Sequence, residues 1–343
     1  MDTKKTIFIM LIMLIGLYLV MSLKENPEIM SHLSLLTGEG TERNEKKQDE
    51  QQGRQAAENS GEGYKTLTAF PPFPSEVKIP EKKTETSEEG TVILPTTIEG
   101  GLVITNDTSY DFDLGVLLSQ GPSVKLAQQG AQVLIIHTHG SEAYTPEGND
   151  RYIPSDPSRT EDTRYNVVRV GDELTACLES YGLVVIHDRE IYDYPSYTGS
   201  YARSAEAISR HLSENPDISV VLDIHRDAIG SGDTVYKTLA ESDGKASAQL
   251  MLLVGTGENG LPHANYIENL KFALYLQSAV VDKYPTLARP IAVKKERYNQ
   301  QLTTGSLIIE VGSSGNTLEE ALKAIRLFAD AAGPALKNLE VSD

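Results

Sequence analysis

The chain has 343 residues, of which 49 are acidic and 31 basic. The resulting net charge of −18 disfavours binding to nucleic acids, whose phosphates attract clustered Lys and Arg. The single cysteine, Cys177, excludes an internal disulfide and a cysteine-rich metal centre, so any metal ion would be held by histidines and carboxylates.

The N-terminal residues 1–23 are predicted to be a membrane anchor. Residues 6–23 carry no charge and are long enough to cross the hydrocarbon core as a helix. Lys4 and Lys5 precede them and favour a cytoplasmic N-terminus. No small-residue cleavage site follows, which favours an uncleaved signal anchor over a cleaved signal peptide. Either form would export the rest of the chain.

Residues 24–95 are predicted to be a disordered polar and acidic linker. Within them, residues 38–55 include no apolar side chain. Such a segment buries too little apolar surface to offset the entropy lost on ordering. We therefore expect a tether that holds a folded domain, residues 96–343, away from the membrane.

Short apolar runs alternate with helical patterns in the second part of the chain. Strands are predicted at residues 133–137, 183–186, 218–225, 249–254 and 306–310. Helices are predicted at residues 167–181, 202–212, 266–284 and 318–332, the last ending at Gly333-Pro334. This alternation predicts a single α/β domain with a mainly parallel sheet covered by helices on both faces. Ligands of such sheets bind beyond the carboxyl ends of the strands.

Side chains that can bind a metal follow three of these strands. The first strand leads into His137, His139 and Glu142, the third ends at His225, and the last ends at Glu310. Two imidazoles and a carboxylate are a common zinc set with a fourth position for water, and a further carboxylate can act as general base. Alternate residues of an extended chain point the same way, so both His137 and His139, or only one, would face the site.

Other signals in the sequence are weaker. His187 and His263 are less favoured ligands, and Cys177 lies on the apolar stripe of a helix, which predicts a packed core thiol. Arg226 directly follows a proposed ligand and would suit a substrate carboxylate. Residues 255–260 match the GxGxxG pattern, but a Leu-Pro pair interrupts before the helix, which disfavours dinucleotide binding.

Six motifs in matching order give the chain a family resemblance. Residues 101–336 resemble the stage II sporulation protein P family, membrane-anchored cell-wall hydrolases of endospore-forming bacteria. The motifs are HTHGSE at 137–142, YNVVRVG at 165–171, HD at 187–188, YPSY at 194–197, DIHRDA at 223–228 and SLIIEVG at 306–312.

The resemblance implies a zinc-dependent N-acetylmuramoyl-L-alanine amidase, with cleavage of peptide cross-links also attributed to the family. It implies degradation of septal peptidoglycan during forespore engulfment by a single-pass membrane protein whose catalytic domain is extracytoplasmic. Stage II sporulation proteins D and M are the implied partners.

The resemblance also implies roles for individual residues. His225 would be a zinc ligand and Glu310 the catalytic carboxylate. In the first motif, the glycine-flanked turn of the wider zinc amidase fold matches His139, while strand geometry equally permits His137.

Two choices stay open, the carboxylate ligand and the activity. Glu142 belongs to the family's own motif and is favoured over Glu161 and Asp162, which lie farther along the chain. A non-catalytic peptidoglycan-binding scaffold and a zinc metallopeptidase on other substrates are the alternative functions.

Overall fold

A computed structural model of the chain describes residues 85–86, 92–146, 158–231, 234–242 and 245–341. The predicted anchor, residues 1–23, and most of the predicted linker lie outside these residues. In the described ranges, no helix is both long enough and apolar enough to cross a lipid bilayer.

The described residues form twelve strands and five α-helices, and the four predicted helices are all present, with bounds that shift by a few residues. The strands are β1 (Glu85–Thr86), β2 (Val92–Thr96), β3 (Ile104–Asn106), β4 (Val133–Ile136), β5 (Val185–His187), β6 (Val220–Asp227), β7 (Gly230–Ser231), β8 (Thr234–Ser242), β9 (Lys245–Ala248), β10 (Leu250–Gly255), β11 (Ile291–Lys294) and β12 (Gly305–Ser313). The helices are α1 (Leu114–Gln120), α2 (Val167–Ser180), α3 (Ser200–Glu214), α4 (Tyr266–Lys283) and α5 (Leu318–Lys337).

The central sheet has seven strands in the order β3-β11-β10-β12-β6-β4-β5. Its strand pairs are parallel except for β10 with β12, which is antiparallel. The α/β class is confirmed, but the sheet is mixed, whereas we predicted a mainly parallel one. The reason lies between β6 and β10, where the chain forms three strands. A crossover helix there would have carried the chain back to the end of the sheet where β6 begins, and β10 would then run parallel to β6.

A second, smaller sheet contains β1, β2, β8 and β7 in that order, with β9 paired to β8. Strand β2 pairs in parallel with β8, and its Ile93 is buried. Residues 92–95, which we assigned to the linker, therefore form part of a sheet.

Helices pack against both faces of the central sheet. Leu222 and Ile224 of β6 belong to the main core, which they share with α2, α4 and α5. Val221 of the same strand points to the opposite face and packs against Ala207 and Ile208 of α3. This alternation decides which face each polar residue at the end of the strand occupies.

Helix α5 continues through Gly333 and Pro334, where the sequence predicted its end. Proline cannot donate to the carbonyl four residues earlier, and that carbonyl, of Asp330, accepts a hydrogen bond from Lys283 Nζ at 3.2 Å instead. A side chain at Gly333 would collide with the ring of Tyr181. The glycine therefore permits close helix packing and does not end the helix.

Candidate metal centre

Three buried side chains converge at the carboxyl ends of β4 and β6. One ligand atom each from His139, Glu142 and His225 lie within 4.8 Å of one another. His139 Nδ1 lies 3.5 Å from one carboxylate oxygen of Glu142, and His225 Nδ1 lies 3.5 Å from the other. Glu142 therefore sits between two imidazoles, and the three side chains could hold a metal ion.

Asp223 lies beside the His225 ring and supplies the charge that contributes most to raising its pKa. The two residues share one face of β6, and His225 Nε2 lies 2.9 Å from Asp223 Oδ1. The backbone N–H of Thr138 donates to the same oxygen at 2.8 Å, and its hydroxyl donates to Oδ2 at 2.6 Å. With Nε2 facing Asp223, the Nδ1 atom of His225 is directed at Glu142, as in sites where a carboxylate orients a ligating imidazole.

The backbone holds Glu142 in a loop that follows β4. Its N–H donates to His139 O at 3.1 Å, and its carbonyl accepts from Val167 at the start of α2 at 2.9 Å. Its carboxylate also accepts from the backbone N–H of Arg226 at 3.0 Å. The loop is therefore tied to both neighbouring elements, which positions the carboxylate.

Aromatic rings surround His139. Tyr197 stacks on it with ring centroids 4.6 Å apart, and Tyr201 of α3 meets it edge-on at 5.4 Å. The guanidinium of Arg159 lies over Tyr197, 4.8 Å from the ring centroid. These contacts restrict the imidazole to one orientation.

The charges of the cluster suit a cation. Burial opposes the charged form of Glu142, but its interactions with His139 and His225 hold its pKa well below the usual range. Burial also opposes the charge of His225, yet Asp223 and Glu142 raise its pKa well above that of a free imidazole. The pKa of His139 is lowered, chiefly by burial. The site thus stabilises a positive charge between Glu142 and His225, which a metal ion would supply in place of the proton.

Glu310 lies next to the cluster on β12, where it is the register partner of His225. Its side chain is buried, and Oε2 has no hydrogen-bond partner within the described part of the chain. Burial, followed by the charge of Asp227, raises the pKa of Glu310 to about 8. A carboxyl group with such a pKa can hold or release a proton near neutral pH, as general acid–base catalysis requires.

His137 does not join the cluster, although the sequence placed it among the ligands. Strand β4 ends at Ile136, so the alternation that would align His137 with His139 is lost in the turn that follows. His137 Nδ1 lies 3.1 Å from Ile224 O, and Nε2 lies 2.8 Å from His187 Nε2. Only one histidine of the first motif therefore reaches the candidate metal centre.

The two alternative carboxylates, Glu161 and Asp162, also lie outside the cluster. Glu161 is exposed, and Asp162 accepts from Arg164 Nε at 2.9 Å. Of the three carboxylates considered from the sequence, the structure brings Glu142 to the imidazoles.

Arg226 has a different environment from the one expected of a substrate-binding residue. Its Nε donates to Ala143 O at 2.9 Å and its Nη2 to Ser158 O at 2.8 Å. Both nitrogens of the Nε–Nη2 side of the guanidinium, which could bind a carboxylate, therefore already donate to backbone carbonyls. The guanidinium instead fastens the loop that carries Glu142.

His263 and Cys177 do not belong to the candidate metal centre. His263 is buried away from the three-residue cluster, and burial lowers its pKa to about 4. Cys177 is half-buried against the core, and burial raises the pKa of its thiol, in keeping with a packed residue and not a nucleophile. Sequence reasoning missed Asp223, although its position two residues before His225 on a strand was a usable signal.

The profile of the family described as stage II sporulation protein P matches residues 15–333. The chain belongs to this family. Stage II sporulation protein P of Bacillus subtilis (strain 168) is 31% identical over 209 residues, which cover 58% of this chain and 49% of the relative. The chain therefore spans about half the length of the curated relative that it matches.

Two solved structures illustrate the more distant similarity. The N-acetylmuramoyl-L-alanine amidase AmiC2 of Nostoc punctiforme is 14% identical, with 61% of this chain and 97% of that chain covered and a TM-score of 0.33. The CwlD amidase of Clostridioides difficile, solved in complex with the GerS lipoprotein, is 14% identical, with coverages of 61% and 98% and a TM-score of 0.35. Scores and identities of this size do not assign an activity.

Proposed function

We propose that this chain is a metal-dependent peptidoglycan amidase that hydrolyses the bond between N-acetylmuramic acid and the L-alanine of the stem peptide. The observation that carries the proposal is the convergence of His139, Glu142 and His225, with Glu310 on the adjacent strand. Membership of the sporulation family supports a substrate in the cell wall.

Zinc is the metal that best fits this donor set. Two imidazoles and one carboxylate in tetrahedral sites leave a fourth position for water, and His139, Glu142 and His225 would be the three protein ligands. Bound there, zinc would supply the Lewis acidity that polarises the scissile carbonyl and activates water.

Glu310 would act as the general base and then as the general acid of the reaction. Its Oε2 atom has no hydrogen-bond partner among the described residues, so it is available to accept and donate a proton. Burial raises the pKa of Glu310 to about 8 in the metal-free protein, and a bound zinc ion would lower this pKa and favour the carboxylate that accepts a proton from water. The carboxylate would take a proton from the attacking water and then deliver it to the amide nitrogen as the C–N bond breaks. Asp223, whose Oδ1 atom lies 2.9 Å from His225 Nε2, would strengthen His225 as a ligand by its negative charge.

The proposed cellular setting is based on the N-terminal sequence and on the family resemblance. Residues 1–23 would anchor the chain in the cell membrane with a cytoplasmic N-terminus, and the linker would let the domain reach septal peptidoglycan during engulfment. Stage II sporulation proteins D and M are the partners we expect there.

Metal analysis and muropeptide digestion of the full chain in detergent test the proposal. We expect one zinc per chain and new L-alanine amino termini, both lost in His225→Ala. His211→Ala is the matched control, because His211 pairs with Asp188 at 2.8 Å outside the cluster. A folded, metal-free protein that binds peptidoglycan without cleaving it would favour the scaffold. New amino termini within the peptide alone would favour a peptidase.

A further inference from the structure

Arg289 is a buried cation with unused hydrogen-bonding capacity. The residue is only 3% exposed. Its Nη1 atom donates to Asp227 Oδ2 at 2.8 Å, but Nε and Nη2 have no hydrogen-bond partner among the described residues. Guanidinium groups stay protonated and present five N–H donors, and burying such donors without acceptors is costly. The two idle nitrogens therefore require a physical reason.

The position of Arg289 brings it to the edge of the sheet that carries the candidate metal centre. Its backbone N–H donates to Leu250 O at 2.7 Å, and Leu250 is the register partner of Val311, the residue after Glu310. Its ion-pair partner, Asp227, is the last residue of β6. The guanidinium thus spans the ends of β10 and β6 close to Glu310, whose pKa its charge lowers against the effect of burial.

The idle nitrogens form the edge of the guanidinium that is suited to a carboxylate. Nε and Nη2 carry parallel N–H bonds on one side of the plane, which match the two oxygens of a carboxylate. Asp227 occupies Nη1 and is itself fixed, because its Oδ1 atom accepts from Ala228 N at 2.7 Å. Arg226 differs from Arg289 in this respect, because its Nε and Nη2 atoms donate to backbone carbonyls.

We propose that the Nε–Nη2 edge of Arg289 binds a carboxylate of the peptide part of the substrate when the scissile amide lies at Glu310. The proposal rests on the amidase function and specifies its substrate class, a peptide with an acidic group close to the bond that is cleaved. Arg289 Nε and Nη2 are shielded from solvent to the same degree as Glu310 Oε2.

Two muropeptides that differ in one group test the proposal. Both are N-acetylmuramoyl-L-alanyl-D-glutamates whose γ-carboxyl group is blocked as an amide. One has a free α-carboxylate, and the other carries a carboxamide there. We expect the full-length, zinc-loaded wild type to prefer the carboxylate by about 10- to 100-fold in kcat/KM, the range for hydrogen bonds to charged groups. Arg289→Lys keeps the charge but not the two-pronged edge, so it should lose this preference through a higher KM.

Thermal unfolding of Arg289→Lys is the control for folding, and the readout is the ratio of kcat/KM for the two muropeptides within each protein, which a general loss of activity does not change. Equal kcat/KM of the wild type for the two muropeptides would overturn the carboxylate site and leave the amidase function standing. Equal losses on both muropeptides in Arg289→Lys would do the same. If the zinc-loaded wild type cleaves neither muropeptide nor intact peptidoglycan, the amidase function itself fails, and the carboxylate site with it.

Discussion

Glu310 and His225 are register partners on the parallel strands β12 and β6. Backbone hydrogen bonds therefore set the separation of the proposed acid–base group from a proposed ligand. Sites built on strands hold their geometry more closely than sites built on loops. Glu142 and His139, in contrast, depend on a loop, which the contacts of Glu142 to Val167 and Arg226 fasten in place.

Replacing Glu310 by glutamine should separate proton transfer from metal binding. Glutamine keeps the size of the side chain but cannot exchange a proton, so we expect kcat to fall by about 10²–10⁴-fold. The metal content should stay unchanged, because Glu310 is not among the three clustered ligands. Muropeptide release and metal analysis of the same preparation measure both quantities. Full activity in Glu310→Gln would contradict the assigned role.

The two histidines of the first motif form a matched pair for mutation. Both are buried and two residues apart, but only His139 joins Glu142 and His225. We expect His139→Ala to lose the metal, whereas His137→Ala should retain it. Metal titration of the two folded variants makes the comparison, with thermal unfolding as the control for integrity. Loss of the metal in His137→Ala alone would reverse the assignment.

Asp223→Asn should weaken metal binding without removing a ligand. An amide cannot supply the charge that raises the pKa of His225, and loss of such an orienting carboxylate costs about 10- to 100-fold in metal affinity. Asp188→Asn is the matched control, because Asp188 also contacts a histidine, His211, at 2.8 Å but lies outside the cluster. Competition with a chelator of known affinity gives both dissociation constants. Similar values for the two variants would argue against the orienting role.

The sequence pattern predicts at which strand ends the candidate site residues lie. Apolar runs that end in His225 and Glu310 identify buried strands whose carboxyl ends share an edge. The choice between His137 and His139 depended on where β4 ends, a boundary that the apolar run 133–136 does not define. The sequence could not predict the partners of Arg226, because Ala143 and Ser158 lie far from it along the chain.

The direction of β10 was beyond sequence reasoning for a related reason. Only Gln249 separates β9 from β10, so β10 begins next to the hairpin of β8 and β9, at the end of the sheet where β6 ends. Strand β10 therefore runs in the direction opposite to β6. That arrangement depends on the pairing of β8 with β2, a contact between distant segments. It also brings Arg289 to the site, which explains why local patterns gave this arginine no special weight.

Gly333→Ala should destabilise the protein, against the usual effect of this change in a helix. An exposed helical glycine costs about 0.5–1 kcal/mol relative to alanine, so alanine normally stabilises. Here the new methyl group would collide with the ring of Tyr181, and overpacking costs about 1–3 kcal/mol. Urea denaturation should show a lower free energy of unfolding in the variant, and a higher one would mean that Tyr181 moves aside freely.

The metal-free protein should lose stability as the pH rises because of Glu310. Burial and Asp227 raise its pKa from 4.5 to about 8 in the folded state, so the native protein retains a proton that the unfolded chain has released. The contribution is complete below 4.5 and disappears as the pH rises through about 8. Each pKa unit corresponds to about 1.4 kcal/mol, so the total reaches a few kcal/mol.

Glu310→Gln reports on this contribution, since glutamine is neutral at every pH and the rest of the sequence is unchanged. Urea denaturation of chelator-treated wild type and variant gives the difference in unfolding free energy at each pH. The pKa of Glu310 is 4.5 in the unfolded chain and about 8 in the folded protein. Between these two pH values the wild type should lose unfolding free energy relative to the variant. A constant difference across this interval would mean that Glu310 is ionised in the folded, metal-free protein at neutral pH. Such a carboxylate could still take the proton of the attacking water and pass it to the leaving amine, so this outcome would contradict the raised pKa and leave the proposed catalytic role standing.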